Sequence, residues 1–165
     1  MFRRFYLVAF ILFLLTANSC SKETAEPSLV VAKAVSSPEI EQQLMNLVNA
    51  HRIALGYSTL EFSPVAYAFA SAHTDYMIAE GKLSHDNFTA RASSISAEVD
   101  AEYVAENVAK DYPGAQEAFD GWMKSIDHRT AIEGDFTHTA VSVKKDTGGH
   151  FYYTELFYRQ SPESQ

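Results

Sequence analysis

The sequence predicts an α+β domain in which helices cover both sides of an antiparallel sheet. Two capped amphipathic helices fill the first half of the folded region, and two β-prone strands joined by a tight loop close it, the second of them aromatic. Residues 38–160, between a polar tether and a short tail at 161–165 read as disordered, are the size of one domain with a single core. No internal repeat is visible.

The first helix begins at Ser37-Pro38, a cap followed by proline at the first helical position, and runs to Gly56 as a stop. Ile40, Leu44, Leu47, Val48 and Ile53 recur at steps of three and four and set one face against a core. The second helix starts at Ser63-Pro64 and ends at Gly81, with Val65, Phe69, Ala72, Tyr76 and Met77 expected on its buried side. His73 lies near that side and reads as a packed histidine with one hydrogen bond, because no carboxylate or second histidine flanks it at ligand spacing. After a polar loop holding His85, residues 91–99 are weakly helical, and Val104 to Ala109 reads as a short strand or a turn-rich bridge. Pro113-Gly114 opens a helix through Ala118, Phe119 and Trp122 toward Ile126, with Trp122 on the core face. Asp127-His128-Arg129 is then expected to lead into an irregular segment. Thr139 to Lys145 forms a strand, Asp146 to Gly149 a hairpin loop, and His150 to Arg159 the last strand. Tyr152, Tyr153, Phe157 and Tyr158 alternate across it, so one pair is assigned to the core and the other to an exposed aromatic face.

Residues 1–19 read as a targeting segment, with Arg3 and Arg4 ahead of an apolar run from Phe5 to Leu15 that is too short for a membrane span. Cys20, the only cysteine, has no intramolecular partner for a disulfide. It follows Ala17-Asn18-Ser19, which resembles the lipobox of bacterial lipoproteins. That resemblance implies a diacylated Cys20 as the mature N-terminus and a protein held to a membrane on its extracytoplasmic, periplasmic or surface side, the alternative being an ordinary signal peptide with an incidental cysteine. Residues 20–37, rich in Ser, Glu, Ala and Lys, read as a flexible tether. Loss of Arg3 and Arg4 reduces the 13 basic residues to 11 against 21 acidic ones, a net charge of −10. Such a surface excludes nucleic acid as a partner.

Three stretches carry the candidate chemistry: Ser84-His85-Asp86-Asn87-Phe88, Ala105-Glu106-Asn107-Val108-Ala109, and Trp122 through His128-Arg129 to Phe136-Thr137-His138. Glu106 sits among apolar residues, and a carboxylate in such company needs a partner to stay charged. A histidine can supply it by sharing a proton, and two histidines with a carboxylate also suit a divalent metal such as zinc. Both readings gather the same residues. Asn107 is expected to lock nearby backbone through its amide. His128 either lines the cleft or meets helix carbonyls at a C-terminus.

In order and surroundings these stretches resemble the marker segments of the CAP superfamily, the cysteine-rich secretory, antigen 5 and pathogenesis-related-1 proteins, and above all its bacterial branch. The resemblance runs from about Glu39 to Phe157 and includes an opening pattern matched by Asn49, Arg52, Gly56 and Leu60. It implies a three-layer αβα sandwich (the CAP, or SCP, fold) and a cavity with two histidines and two glutamates that can hold a metal. His85, Glu106 and His138 match three of the four. The fourth falls at or near Ser125, which is not acidic, so Glu155 or Asp127 would have to replace it, and any zinc held by His85 and His138 is expected to be weakly bound.

Three functions follow. A monomeric binding module would use His85, Glu106, His138, His128 and Asn107 to recognise a small amphipathic ligand, an envelope component or a protein. A hydrolase, peptidase-like in substrate, would use His85 or His138 as general base with Glu106 beside it. No serine in a triad context supports covalent catalysis. In the third, the cluster is a structural polar network and the protein acts through its surface.

Overall fold

The computed structural model describes residues 34–161. The targeting segment, Cys20, nearly all of the tether and all but the first residue of the tail lie outside the described residues.

Among the described residues five strands form one sheet: β1 (Val35–Ser36), β2 (Glu61–Phe62), β3 (Ala101–Lys110), β4 (His138–Lys145) and β5 (Phe151–Gln160). The order is β1-β4-β5-β3 and these pairs are antiparallel. The short β2 lies parallel to the start of β4, with Glu61 opposite His138, while β1 pairs with the end of β4. The helices of the described residues, α1 (Pro38–Ala54), α2 (Pro64–Glu80), α3 (Phe88–Val99), α4 (Ala115–Lys124) and α5 (Ile126–Ile132), complete a three-layer αβα sandwich.

Strand alternation builds the layers. On one face Val141, Val143, Tyr153 and Phe157 pack with Leu44 and Val48 of α1, Trp122 of α4 and Ile132 of α5. On the other, Ala140, Leu156 and Tyr158 meet Ala66 and Ala70 of α2 and Ile95 of α3. With both faces covered, Tyr152, Tyr153, Phe157 and Tyr158 are all buried, and the expected exposed aromatic face does not exist. Trp122 belongs to the core as expected, its Nε1 donating to Val108 O at 3.1 Å.

The helix boundaries follow their local chemistry. Ser63 Oγ accepts from Ala66 N to cap α2, and Gly81 ends it at φ 67°. Ser37 begins α1 through its main chain alone, its carbonyl accepting from Ile40 and Glu41. The buried stripe of α2 is Ala66, Ala70, His73, Thr74 and Met77, shifted from the predicted one. Small side chains there let α2 lie close on the sheet, where Thr74 Oγ1 donates to Thr154 Oγ1 at 2.9 Å. The bulkier Phe69 and Tyr76 remain half-buried in a groove beside Arg91 and Ser94 of α3. Residues 126–132 are helical rather than irregular, because Ser125, extended at ψ 129°, ends α4 and accepts from His128 N to cap α5. Val104 to Ala109 lies within a ten-residue strand.

Candidate functional site

His85 sits in the turn between α2 and α3, which is pinned from several sides. Tyr76 OH donates to Asp86 Oδ2 at 2.9 Å, Lys82 pairs with the same carboxylate at 3.2 Å, and Arg91 Nη1 donates to Asp86 O at 3.1 Å. His73, buried under this turn, bonds through Nε2 to Ser84 O at 2.8 Å. Asn87 takes a left-handed conformation, φ 61°, that starts α3. The turn presents His85 with its side chain 52% exposed.

Across from it stands Glu106 of β3, its side chain only 1% exposed. A buried carboxylate requires compensation, and two groups supply it. His85 Nδ1 lies 2.9 Å from Oε1. Arg91 Nε donates to Oε2 at 2.8 Å, and Nη2 approaches that oxygen at 2.6 Å as an ion-pair contact. His73 Nε2 stands 3.9 Å from Oε1. Burial, more than any other factor, lowers the His73 pKa, against the pull of the Ser84 carbonyl and Glu106. A neutral His73 needs no further counter-charge.

Arg91 is the residue the sequence reading missed. The signal was present: it is the only basic residue between His85 and Glu106, and an apolar-flanked glutamate needs a cation.

The other predicted residues divide. Asn107 is buried and its Nδ2 donates to His128 O at 3.0 Å, tying α5 to β3 rather than bracing the backbone at Glu106. His128 is half-buried in the first turn of α5, so it does not act at a helix C-terminus; its pKa is lowered by burial first and by nearby His85 second. His138 stands apart from His85 and Glu106. It opens β4, with β5 between it and β3, a separation of about 10 Å across the sheet. Its ring stacks on Tyr158 at 4.7 Å, Nδ1 lies 2.8 Å from Thr137 Oγ1, and it faces a separate cavity with Arg52 and Glu61. Glu155 is fully buried on the α1 side, bonded to Thr139, and does not complete a tetrad. Asp127 lines the same cleft as His85.

That cleft, of about 420 Å³, runs along the outer edge of β3. Phe88 and His85 border one side, Thr130, Ala131 and Phe136 the other, with Val104 and Glu106 between them. Gly134 also lines it; a Cβ there would fall 2.5 Å from the Phe136 ring.

The residues do not fit a zinc ion. Among the described residues no group of three or more His, Cys, Asp and Glu side chains is placed to hold a metal. His138 is not beside His85, and the Arg91 guanidinium already neutralises Glu106 and would repel a dication. The two serines near the site are engaged otherwise: Ser84 Oγ accepts from Asp86 N, and Ser125 caps α5.

Residues 45–157 match the model of CAP, the cysteine-rich secretory protein family, and the chain belongs to that family. Membrane protein YlbC of Bacillus subtilis is 28% identical over 145 residues, covering 80% of this chain; the chain spans 40% of YlbC. Among solved structures, an outer surface protein of Borrelia burgdorferi superposes with a TM-score of 0.71 at 16% identity, covering 79% of this chain and 99% of that one. An extracellular, SCP-domain protein of Bacillus anthracis gives 0.66 at 24% identity, over 74% of this chain and 41% of the other. These two likenesses establish the shared fold.

Proposed function

We propose that this CAP protein is an extracytoplasmic binding module, anchored to a membrane through an acylated Cys20, whose cleft takes an amphipathic ligand. The carrying observation is the pairing in one cleft of a half-exposed imidazole, held by the buried Glu106–Arg91 pair, with the apolar walls Phe88, Val104 and Phe136. An apolar groove with a few fixed polar groups is the usual form of a specific ligand site. The lipobox-like run before Cys20 supports the location, as do relatives described as an outer surface, an extracellular and a membrane protein. The test is a binding screen of the full-length chain against phospholipids, envelope glycans and peptides. Binding should saturate and weaken about tenfold or more in Phe136→Asp and His85→Ala. No saturable ligand for a folded protein would sink the proposal.

A hydrolase is the second reading, favoured by the 2.9 Å His85–Glu106 pair, which orients an imidazole whose other nitrogen is available as a base. It requires a water or substrate hydroxyl as nucleophile, since among the described residues no serine is bonded to His85. Peptide cleavage that vanishes in both His85→Ala and Glu106→Gln would establish it; cleavage unaffected by either would not.

A further inference from the structure

The edge of β3 specifies the chemistry of the cleft's occupant, an inference that rests on the cleft being a binding site. Asp111 N donates to Phe151 O, and Val108 O accepts instead from the Trp122 indole. Along an antiparallel ladder such directions alternate, so from Val104 onward the odd-numbered residues turn their peptide groups toward β5 and Val104 and Glu106 turn theirs outward. Among the described residues no strand covers this edge. Glu106 confirms the exposure: its side chain is 1% exposed while the residue as a whole is partly exposed, so the accessible atoms are main-chain atoms. Both residues line the cleft.

We propose that the cleft binds an extended peptide segment, which adds as a further strand alongside Val104–Glu106. Peptide groups two residues apart repeat at about 6.7 Å, a spacing that another extended backbone reproduces. An acyl chain has no donors or acceptors to match it. The peptide's side chains would alternate between the Phe88 side, which selects apolar residues, and the side of Asp127 and Thr130. Asp127 in the wall and the net charge of −8 on the full chain select basic residues over acidic ones at the remaining positions. An open edge is otherwise an aggregation liability, and here His85, Phe88 and Phe136 flank it as a site.

The experiment titrates the full-length chain with capped heptapeptides of alternating apolar and polar residues, in a lysine series and a glutamate series. The lysine series should bind more tightly. In its best member, single N-methylation at alternate positions should weaken binding about tenfold, with little effect at the positions between. Amide exchange at Val104 and Glu106 should slow on binding, while Ala105 and Asn107, already bonded to β5, change little. Failure of every peptide, or N-methyl effects without alternation, overturns the inference. Lysophosphatidylglycerol serves as the separating probe: if it alone binds, and His85→Ala abolishes that binding, the amphipathic-ligand reading stands and the peptide falls. If neither binds, both fall.

Discussion

His85 Nδ1 lies 2.9 Å from Glu106 Oε1, joining an imidazole half in solvent to a carboxylate almost wholly removed from it. The two ends of this bond differ in energetic weight. Glu106 also balances Arg91, whose side chain is 9% exposed, so deleting the carboxylate strands a buried cation. Deleting the imidazole strands nothing comparable, because Arg91 still holds Glu106.

Glu106→Ala is therefore expected to destabilise the domain by about 3–5 kcal/mol, and His85→Ala by about 1 kcal/mol or less. Urea denaturation of the two variants checks this. Equal losses would mean that His85, not Arg91, supports the carboxylate. A small loss in His85→Ala together with lost ligand binding marks His85 as a working residue rather than part of a structural network.

A second buried carboxyl acts in the opposite sense. Glu155 is completely buried and its pKa is pushed up to about 8 by burial, against the pull of the Thr139 hydroxyl bond. Its Oε2 is buried without a hydrogen-bond partner, as is the Oδ1 of Asn107 on the paired strand, and such a site favours the neutral carboxyl over the carboxylate. The folded state then holds a proton that the unfolded chain releases near the ordinary value of 4.5. Stability falls as pH rises from about 4.5 to 8 and levels off above that. His73 and His128, with lowered values, favour the folded state as pH rises toward 6.5 and contribute little change beyond it. The interval from pH 6.5 to 8 isolates Glu155. Denaturation midpoints should drop across it in the parent chain and stay level in Glu155→Gln, which keeps the shape without the charge. A parallel drop in both would remove Glu155 as the cause.

The residues whose effects are local were the most legible in the sequence. Ser63, Pro64 and Gly81 bound α2 through their own backbone preferences, and β4 and β5 were legible as strands, although the burial of both faces of β5 beneath the helical layers was not. The sequence also pointed to a histidine partner for Glu106, because a carboxylate among apolar residues implies one, but it did not separate His85 from His138. What escaped was set by topology. His138 looked equivalent to His85 along the chain, yet the β1-β4-β5-β3 order places a strand between them. The buried stripe of α2 depended on how closely that helix approaches the sheet. Glu155 reads as an available fourth acid because nothing in its neighbours tells which face of β5 it occupies.

Arg52 illustrates a marker residue whose work is structural. It is 2% exposed, and its guanidinium donates to Ser58 O, Ile132 O and Gly134 O, each at 2.8 Å. These bonds draw the end of α1, the turn after it and the end of α5 to one point. Burial lowers the Arg52 pKa and Asp135 partly offsets it, so the residue is costly to keep charged and is retained for its fork of donors. Arg52→Met leaves three carbonyls without that donor and is expected to cost about 3 kcal/mol or more. Arg52→Lys should recover less than half, since an ammonium cannot span the same three acceptors. Gly134 and Phe136 line the cleft at β3, so loosening their loop should also weaken ligand binding in Arg52→Lys at temperatures where the domain is still folded. Calorimetric unfolding alongside the binding titration reads both effects. A variant that is destabilised but binds normally would show that the loop keeps its shape without Arg52.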